Sequence, residues 1–301
     1  MKARAPGKIV LSGAYAVLEG APAIVSAVSR YVLADGSRAA EFVTDEVRAA
    51  GLDRVPWFDA SELRDNFRKL GLGSSAAILV ASLAAHELTL APYLDERSLP
   101  ILVFPRALEA HRAAQPRGSG IDVCAACFGG HRLVIRCGES LHHEAITLPQ
   151  GLHIQVWAAP SSSSTASMLD VLSNYRQKSP SGYERRMQEQ YAASELAARA
   201  VRDQSTSLLV RALTEQRLAL QALGRDAGVP IVTDEVAALA EAAISEAAAV
   251  LPAGAGGGDV AIFVAAHPPS ERLKLLAVSL NHTALPLNLG VRGVHSAAAG
   301  C

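Results

Sequence analysis

Lys69-Leu70-Gly71-Leu72-Gly73-Ser74-Ser75-Ala76-Ala77 runs straight into Ile78 to Leu88, a stretch that is largely apolar and free of Gly and Pro. The pattern predicts a glycine loop entering a helix of small residues. Such a junction gathers free backbone N–H groups and the positive end of a helix at one spot, which is how a phosphate is held. A Walker A loop needs Gly-Lys-Ser/Thr after its spacer, and the chain has none. Gly71-x-Gly73-x-x-Ala76 matches the dinucleotide fingerprint, with Asp95 or Glu96 about the right distance on. That fingerprint must follow a buried parallel strand, however, and Arg64-Asp65-Asn66-Phe67-Arg68-Lys69 is mostly charged. Three readings stay open: a dinucleotide loop, which that charged flank disfavours, a phosphate loop of another kinase type, and a glycine turn that only caps a core helix.

On the N-terminal side, Lys8 to Val17 and Ala23 to Val28 read as two short strands joined by a turn at Glu19-Gly20. Between Asp35 and Arg68 the charge density rises, with Trp57 and Phe58 expected to anchor that segment to the core. On the C-terminal side, Gly118-Ser119-Gly120-Ile121-Asp122 delivers one acid onto the apolar stretch Val123 to Phe128. A carboxylate so placed is either a helix cap or a functional group.

Leu152 to Ala158 reads as a buried strand, ending in Pro160 and the hydroxyl-rich run Ser161 to Thr165. That run is a polar-ligand loop, a linker or a cap. Tyr183 to Leu223 is helical by period, and Thr233-Asp234-Glu235 opens a helix expected to reach Ala248. Leu251 to Asp259 is a glycine-rich loop before the strand Val260 to Val264. So flexible a loop is costly to order and implies a backbone that must approach something closely. The apolar segment Leu275 to Leu280 and a strand over Ala284 to Val291 complete the chain.

With 28 basic and 29 acidic side chains, the formal net charge is −1, which argues against a nucleic-acid binder. No uninterrupted apolar run is long enough for a membrane span, and Met1 to Lys8 is not expected to begin a signal peptide. The expectation is a cytoplasmic globular protein, 50% hydrophobic over 301 residues, long enough to bury a large core without staples. Cys124-Ala125-Ala126-Cys127 has CxxC spacing but no second pair and no histidine at zinc-finger spacing, so these cysteines read as small core residues. His142-His143 reads as surface.

Three blocks in order carry a resemblance. Ala5-Pro6-Gly7-Lys8-Ile9-Val10-Leu11-Ser12-Gly13 with Tyr15 to Gly20, then Leu70 to Ala77, then Ala253 to Asp259, resemble the three motifs of the GHMP kinases. The likeness spans roughly Ala5 to Val294. Glu109-Ala110-His111-Arg112-Ala113-Ala114-Gln115 with Gly118 to Val123, and Ala222 to Arg225 with Gly228 to Ile231, are most similar to the phosphomevalonate kinase branch, mevalonate kinase being the nearest alternative.

The resemblance implies an α+β fold in two lobes. The first, over residues 1–150, is ribosomal-protein-S5-like and carries the ATP phosphate loop. The second, over 151–301, is ferredoxin-like and carries the glycine-rich third motif, with ATP and substrate meeting between the two. It implies Lys8 and Asp122 as catalytic residues, and Gly71, Leu72, Gly73, Ser74, Ser75 and Ala76 around the ATP phosphates. Ser75 and Glu109 are the implied Mg²⁺ ligands. Tyr15, Ser119, Thr165, Gly254, Ala255 and Gly256 are implied on the substrate side. The substrate would be phosphomevalonate or mevalonate, with no nucleic acid or membrane partner. Three departures stand out: Ala14 replaces the usual Glu, the segment from Gly20 to Lys69 is short, and Leu251 and Ala253 replace Lys and Ser. Ala14 keeps open a weakened GHMP-fold sensor.

Overall fold

The structure is a computed structural model and describes residues 1–65, 68–159 and 165–297. Its first elements are β1 (Lys2–Ser12), β2 (Ala23–Ala39), α1 (Asp45–Ala49), β3 (Pro56–Asp59), β4 (Arg64–Asp65) and β5 (Arg68–Lys69). Next come α2 (Ser74–Leu90), α3 (Leu99–Ala114), α4 (Ile121–Phe128), β6 (His131–Cys137), β7 (Ser140–Ile146) and β8 (His153–Ala158). Then follow α5 (Thr165–Lys178), α6 (Pro180–Arg202), α7 (Thr206–Ala227) and α8 (Asp234–Ala243). The last are β9 (Ala249–Pro252), β10 (Val260–Ala265), α9 (Glu271–Ser279), β11 (Thr283–Leu285) and β12 (His295–Ala297).

The chain packs as two compact units. One is built from Met1–Ile9, Val25–Arg132 and the segment from Leu287 on, the other from Val10–Ile24 and Leu133–Pro286. This differs from the single division between residues 150 and 151 expected from the sequence. β1 and β2 each pass from one unit into the other, and β12 belongs to the first, so no single cut separates them.

In the first unit β12 pairs antiparallel with β1, Ala3 opposite Ser296. β1 lies beside β2, and β3 pairs with β2, Ala34 opposite Phe58. Phe58 is buried, whereas Trp57 is half-buried with the Arg38 guanidinium 4.1 Å above its ring. α2 is the core helix. Ala76, Ala77, Ala81, Ala84 and Ala85 are at most 2% exposed, and the helix packs against α1, α3, α4 and β3. A helix apolar on every side has no solvent face to keep polar, and burying Leu79, Leu83 and Leu88 contributes roughly 1.5–3 kcal/mol each. α4 ends at Gly129, at φ 63, where a Cβ would overlap the backbone of Gly293.

In the second unit an antiparallel sheet runs in the order β11-β8-β10-β9, with Ile262 between Val156 and Leu251. All six residues of β10 are buried, which is why Val260 to Ala265 reads as a continuous apolar run rather than an alternating one. α6 packs along α7, and α7 and α8 pack on β9. Ser205 and Thr233 cap α7 and α8 by accepting from the N–H groups of Leu208 and Val236.

Two boundaries differ from expectation. The helix opened by Thr233 ends at Ala243 and tightens into a 3-10 turn over Ile244–Glu246, after which the left-handed Ala247, at φ 48, leads the chain into β9. Leu251 and Pro252 therefore lie in a strand. The expected strand over Ala284 to Val291 is only β11, followed by an isolated bridge from Leu289 to Val28. Among the described residues no helix is long and apolar enough to cross a membrane.

Candidate functional site

The expected glycine loop and helix are present, and β1 runs directly against them. Lys8 donates its backbone N–H to the Leu72 carbonyl at 2.8 Å. A Cβ on Gly7 would stand 2.7 Å from that same oxygen, so this position of β1 requires glycine. Gly71 and Gly73 are both left-handed, at φ 71 and 76, a conformation that costs other residues about 1–2 kcal/mol. Gly73 caps α2, leaving the first-turn N–H groups of Ser74, Ser75 and Ala76 without an intrahelical partner. The strand and the loop together place the Lys8 side chain beside the helix start.

Lys8 is 8% exposed, and its Nζ lies 3.5 Å from Asp122 Oδ2. A Cβ on Gly73 would sit 2.9 Å from Lys8 Cε and 3.4 Å from Asp122 Oδ2. Loop, cation and carboxylate thus share one point of the first unit. Asp122 is not the cap of α4: Gly120 holds that position, and the Ser119 hydroxyl accepts from Ile121 N–H at 3.4 Å. With the capping position filled by other residues, the Asp122 side chain is left for Lys8.

Two implied ligands behave differently from each other. Ser75 is half-buried on the first turn of α2, beside the loop. Glu109 is exposed on α3, and no hydrogen bond or ion pair joins it to the Lys8–Asp122 pair. Two residues along a helix is about 200° of rotation, so Glu109 points away from the face that carries His111. That imidazole is 6% exposed, and its Nε2 would be 2.5 Å from a Cβ on Gly118. Burial holds its pKa below the ordinary value, against the pull of Asp122 and Glu46, so the ring is neutral at pH 7. His111 is the site neighbour the sequence reading missed. The signal was there: Leu99, Val103, Ala107 and His111 recur every four residues, and all are buried.

In the second unit Tyr15 and the glycine loop over 253–259 come together. Tyr15, left-handed at φ 62 and buried, donates its hydroxyl to the Ala255 carbonyl. Burial, and then the charge of Asp259, push the Tyr15 phenol up, so it stays protonated and committed to that bond. A Cβ on Gly256 would overlap the Ile231 carbonyl, which also accepts from Gly257 N–H at 3.0 Å. Gly256 is therefore required by a close backbone approach, the kind of contact the sequence suggested for this loop. Gly254, at φ 135, belongs to the same loop. Residues 160–164 and the Thr165 side chain lie outside what the structure describes.

Residues 38–130 match the model of the GHMP kinases N terminal domain. Over that stretch the chain carries a GHMP kinase N-terminal domain. It is 26% identical to a phosphomevalonate kinase of a Streptomyces species, over 86% of this chain and 88% of that one. It is 32% identical to a mevalonate kinase of Archaeoglobus fulgidus, over 43% of this chain and 51% of that one. The fold superposes on that of Streptococcus pneumoniae phosphomevalonate kinase in complex with phosphomevalonate and AMPPNP. The TM-score is 0.79 at 16% identity, covering 96% of this chain and 99% of that one. The fold is the α+β fold of the GHMP kinases.

In this chain the turn after β1 has no acid at its second position, since Ala14 stands there, buried. The nearest acid on that turn, Glu19, is held by Arg176 at 3.0 Å and by the Tyr183 hydroxyl at 3.1 Å. Cys124 and Cys127 are fully buried in α4. Burial pushes the Cys124 thiol up to about 12 and that of Cys127 well above its ordinary value. Cys137 is exposed. A thiol reagent acts on the thiolate, so peptide mapping of the native protein should find Cys137 alkylated and both α4 cysteines untouched until denaturant is added. Prompt labelling of Cys124 would contradict their place in the core.

Proposed function

We propose that the chain is an ATP- and Mg²⁺-dependent kinase that phosphorylates phosphomevalonate to diphosphomevalonate. The observation that carries this reading is the Lys8–Asp122 pair set against the glycine loop at the start of α2. The phosphomevalonate kinase matched along most of its length supports the choice of acceptor.

The residues present fit ATP phosphates. The cradle formed by Gly71 to Ala76 offers free N–H groups at a positive helix end, and a side chain at Gly73 would fill it. Ser75 is the residue of this chain that would hold the metal, the rest of the shell coming from phosphate oxygens and water, as is usual for Mg²⁺. When bound, the ion supplies charge compensation between the phosphates.

In the transfer itself, an acceptor phosphate oxygen forms a bond to the γ-phosphorus as the bond to the ADP oxygen breaks. That acceptor is already anionic, so no strong base is needed. Lys8 holds positive charge beside the transferring group, and Asp122 keeps Lys8 in place.

Purified protein assayed for ADP release with phosphomevalonate, mevalonate and homoserine is expected to turn over phosphomevalonate best, with diphosphate product visible by phosphorus NMR. Faster turnover of mevalonate would replace the acceptor. Turnover of none, with measurable ATP binding, would favour the sensor reading that Ala14 motivates. Ser75→Ala should raise the Mg²⁺ and ATP requirements several-fold, on the order of one hydrogen bond to a charged group, with the melting temperature unchanged. Unaltered kinetics across a magnesium titration would remove Ser75 from the metal shell.

A further inference from the structure

The second unit contains a cavity of about 290 Å³ between α7, α8 and the turn into β9. It shares no residue with the glycine loop or with the Lys8–Asp122 pair. Its polar lining is Arg211, Arg217, Ser207 and Thr214, and no carboxylate belongs to it. The opposite wall is apolar, formed by Ile244, Ala247 and their neighbours.

Arg217 is the unusual member. It is 4% exposed, and a buried charge is unfavourable unless it is paired and hydrogen-bonded. Its partners inside the protein are weak. One N–H donates to the neutral Gln221 Oε1 at 3.0 Å. The nearest acid, Glu241, stands 3.7 Å away with its side chain 67% exposed, too far for a hydrogen bond and largely screened by solvent. None of its nitrogens is sealed from solvent without a partner, and the residue lines the cavity. Arg211 uses only its Nε on Glu215, at 2.8 Å, which leaves further donors of its five. Thr214 donates its own proton to the Val210 carbonyl, so Ser207 and the two arginines are the donors available.

We propose that this cavity is a ligand site for a small oxyanion with a short apolar body, a carboxylate or a phosphate monoester. The arginines would take the charged end and the Ile244–Ala247 wall the apolar one. The volume lies at the lower limit of ligand pockets, roughly 300–1,000 Å³, which sets the size of that body.

Isoleucine δ1-methyl NMR of the full chain tests this, with the Ile244 signal assigned through Ile244→Val. Benzoate, phenyl phosphate and inorganic phosphate are the probes, each titrated into the millimolar range. At least one of the two organic anions is expected to shift Ile244 saturably, and which one does so names the head group. Inorganic phosphate should bind more weakly than that anion. Arg211→Gln and Ser207→Trp, both at exposed positions, should weaken binding about tenfold or more. Arg217→Met should abolish it where that variant folds. Lys8→Met should leave it unchanged, which separates the cavity from the phosphate loop. Absence of a saturable shift with both organic anions, or an undiminished shift in Arg211→Gln and Ser207→Trp, would overturn the proposal. An equal response to inorganic phosphate would do the same.

Discussion

Lys8→Met is expected to lower kcat on phosphomevalonate by about 10²–10³-fold, the cost of removing one preorganised charge-stabilising group from a transition state. The loss has two sources. Methionine removes the cation that would face two anionic substrates. It also leaves Asp122, previously 3.5 Å from Nζ, as an uncompensated negative charge beside them. The fold should survive. Methionine is close to the length of the lysine stem, and the Lys8 backbone, which holds the loop through Leu72, is untouched. Asp122 is about a third exposed, so the lost ion pair should contribute no more than about 1 kcal/mol to stability. Saturation kinetics by ADP release, beside a thermal melt, check both parts. Full turnover in Lys8→Met would remove the lysine from the mechanism, and an unfolded variant would show it to be structural.

The legible part of this fold is the part whose reasons are local. Gly71 and Gly73 announce themselves because left-handed backbone selects glycine, and the small-residue run after them announces a buried helix. Asp122 is legible as one acid on an apolar segment, although only packing shows that Ser119 and Gly120 occupy the cap. Where the reasons are distant, the sequence is mute or misleading. The alanine-rich run opened by Thr233 reads as helix as far as Ala248, yet the helix stops at Ala243 and Ala249 to Pro252 becomes β9, paired with β10. Glu109 and His111 differ little in a linear reading, but the packing of α3 on α2 and α4 turns one to solvent and the other to the site. The two units share β1 and β2, and no local signal marks a strand that changes unit part-way along. Tyr15 shows a mixed case. Its motif is legible, but its hydroxyl braces the Ala255 carbonyl, a contact made 240 positions away.

Asp122→Asn discriminates between acceptors. Asparagine keeps the size of the side chain and removes its charge. Toward a hydroxyl acceptor a carboxylate acts as general base, and its loss costs about 10²–10⁴-fold. Toward an acceptor that is already a phosphate, the proton is gone, and Asp122 has only to position Lys8. The expected loss on phosphomevalonate is therefore below about 10²-fold, and smaller than that of Lys8→Met. On mevalonate, where the acceptor is a hydroxyl, any basal turnover should fall further than on phosphomevalonate. The order of the two variants is thus the measurement that matters, taken as kcat with each substrate under saturating ATP. If Asp122→Asn is the more damaging change on phosphomevalonate, the carboxylate is doing base chemistry and the phosphate acceptor is wrong. The melting temperature supplies an independent check. Gly120 occupies the cap of α4 and the Ser119 hydroxyl accepts the Ile121 N–H, so neutralising Asp122 removes no capping bond and opens no cavity. A variant that keeps its turnover and melts early would make Asp122 a structural residue, and the Lys8–Asp122 pair would cease to mark the site.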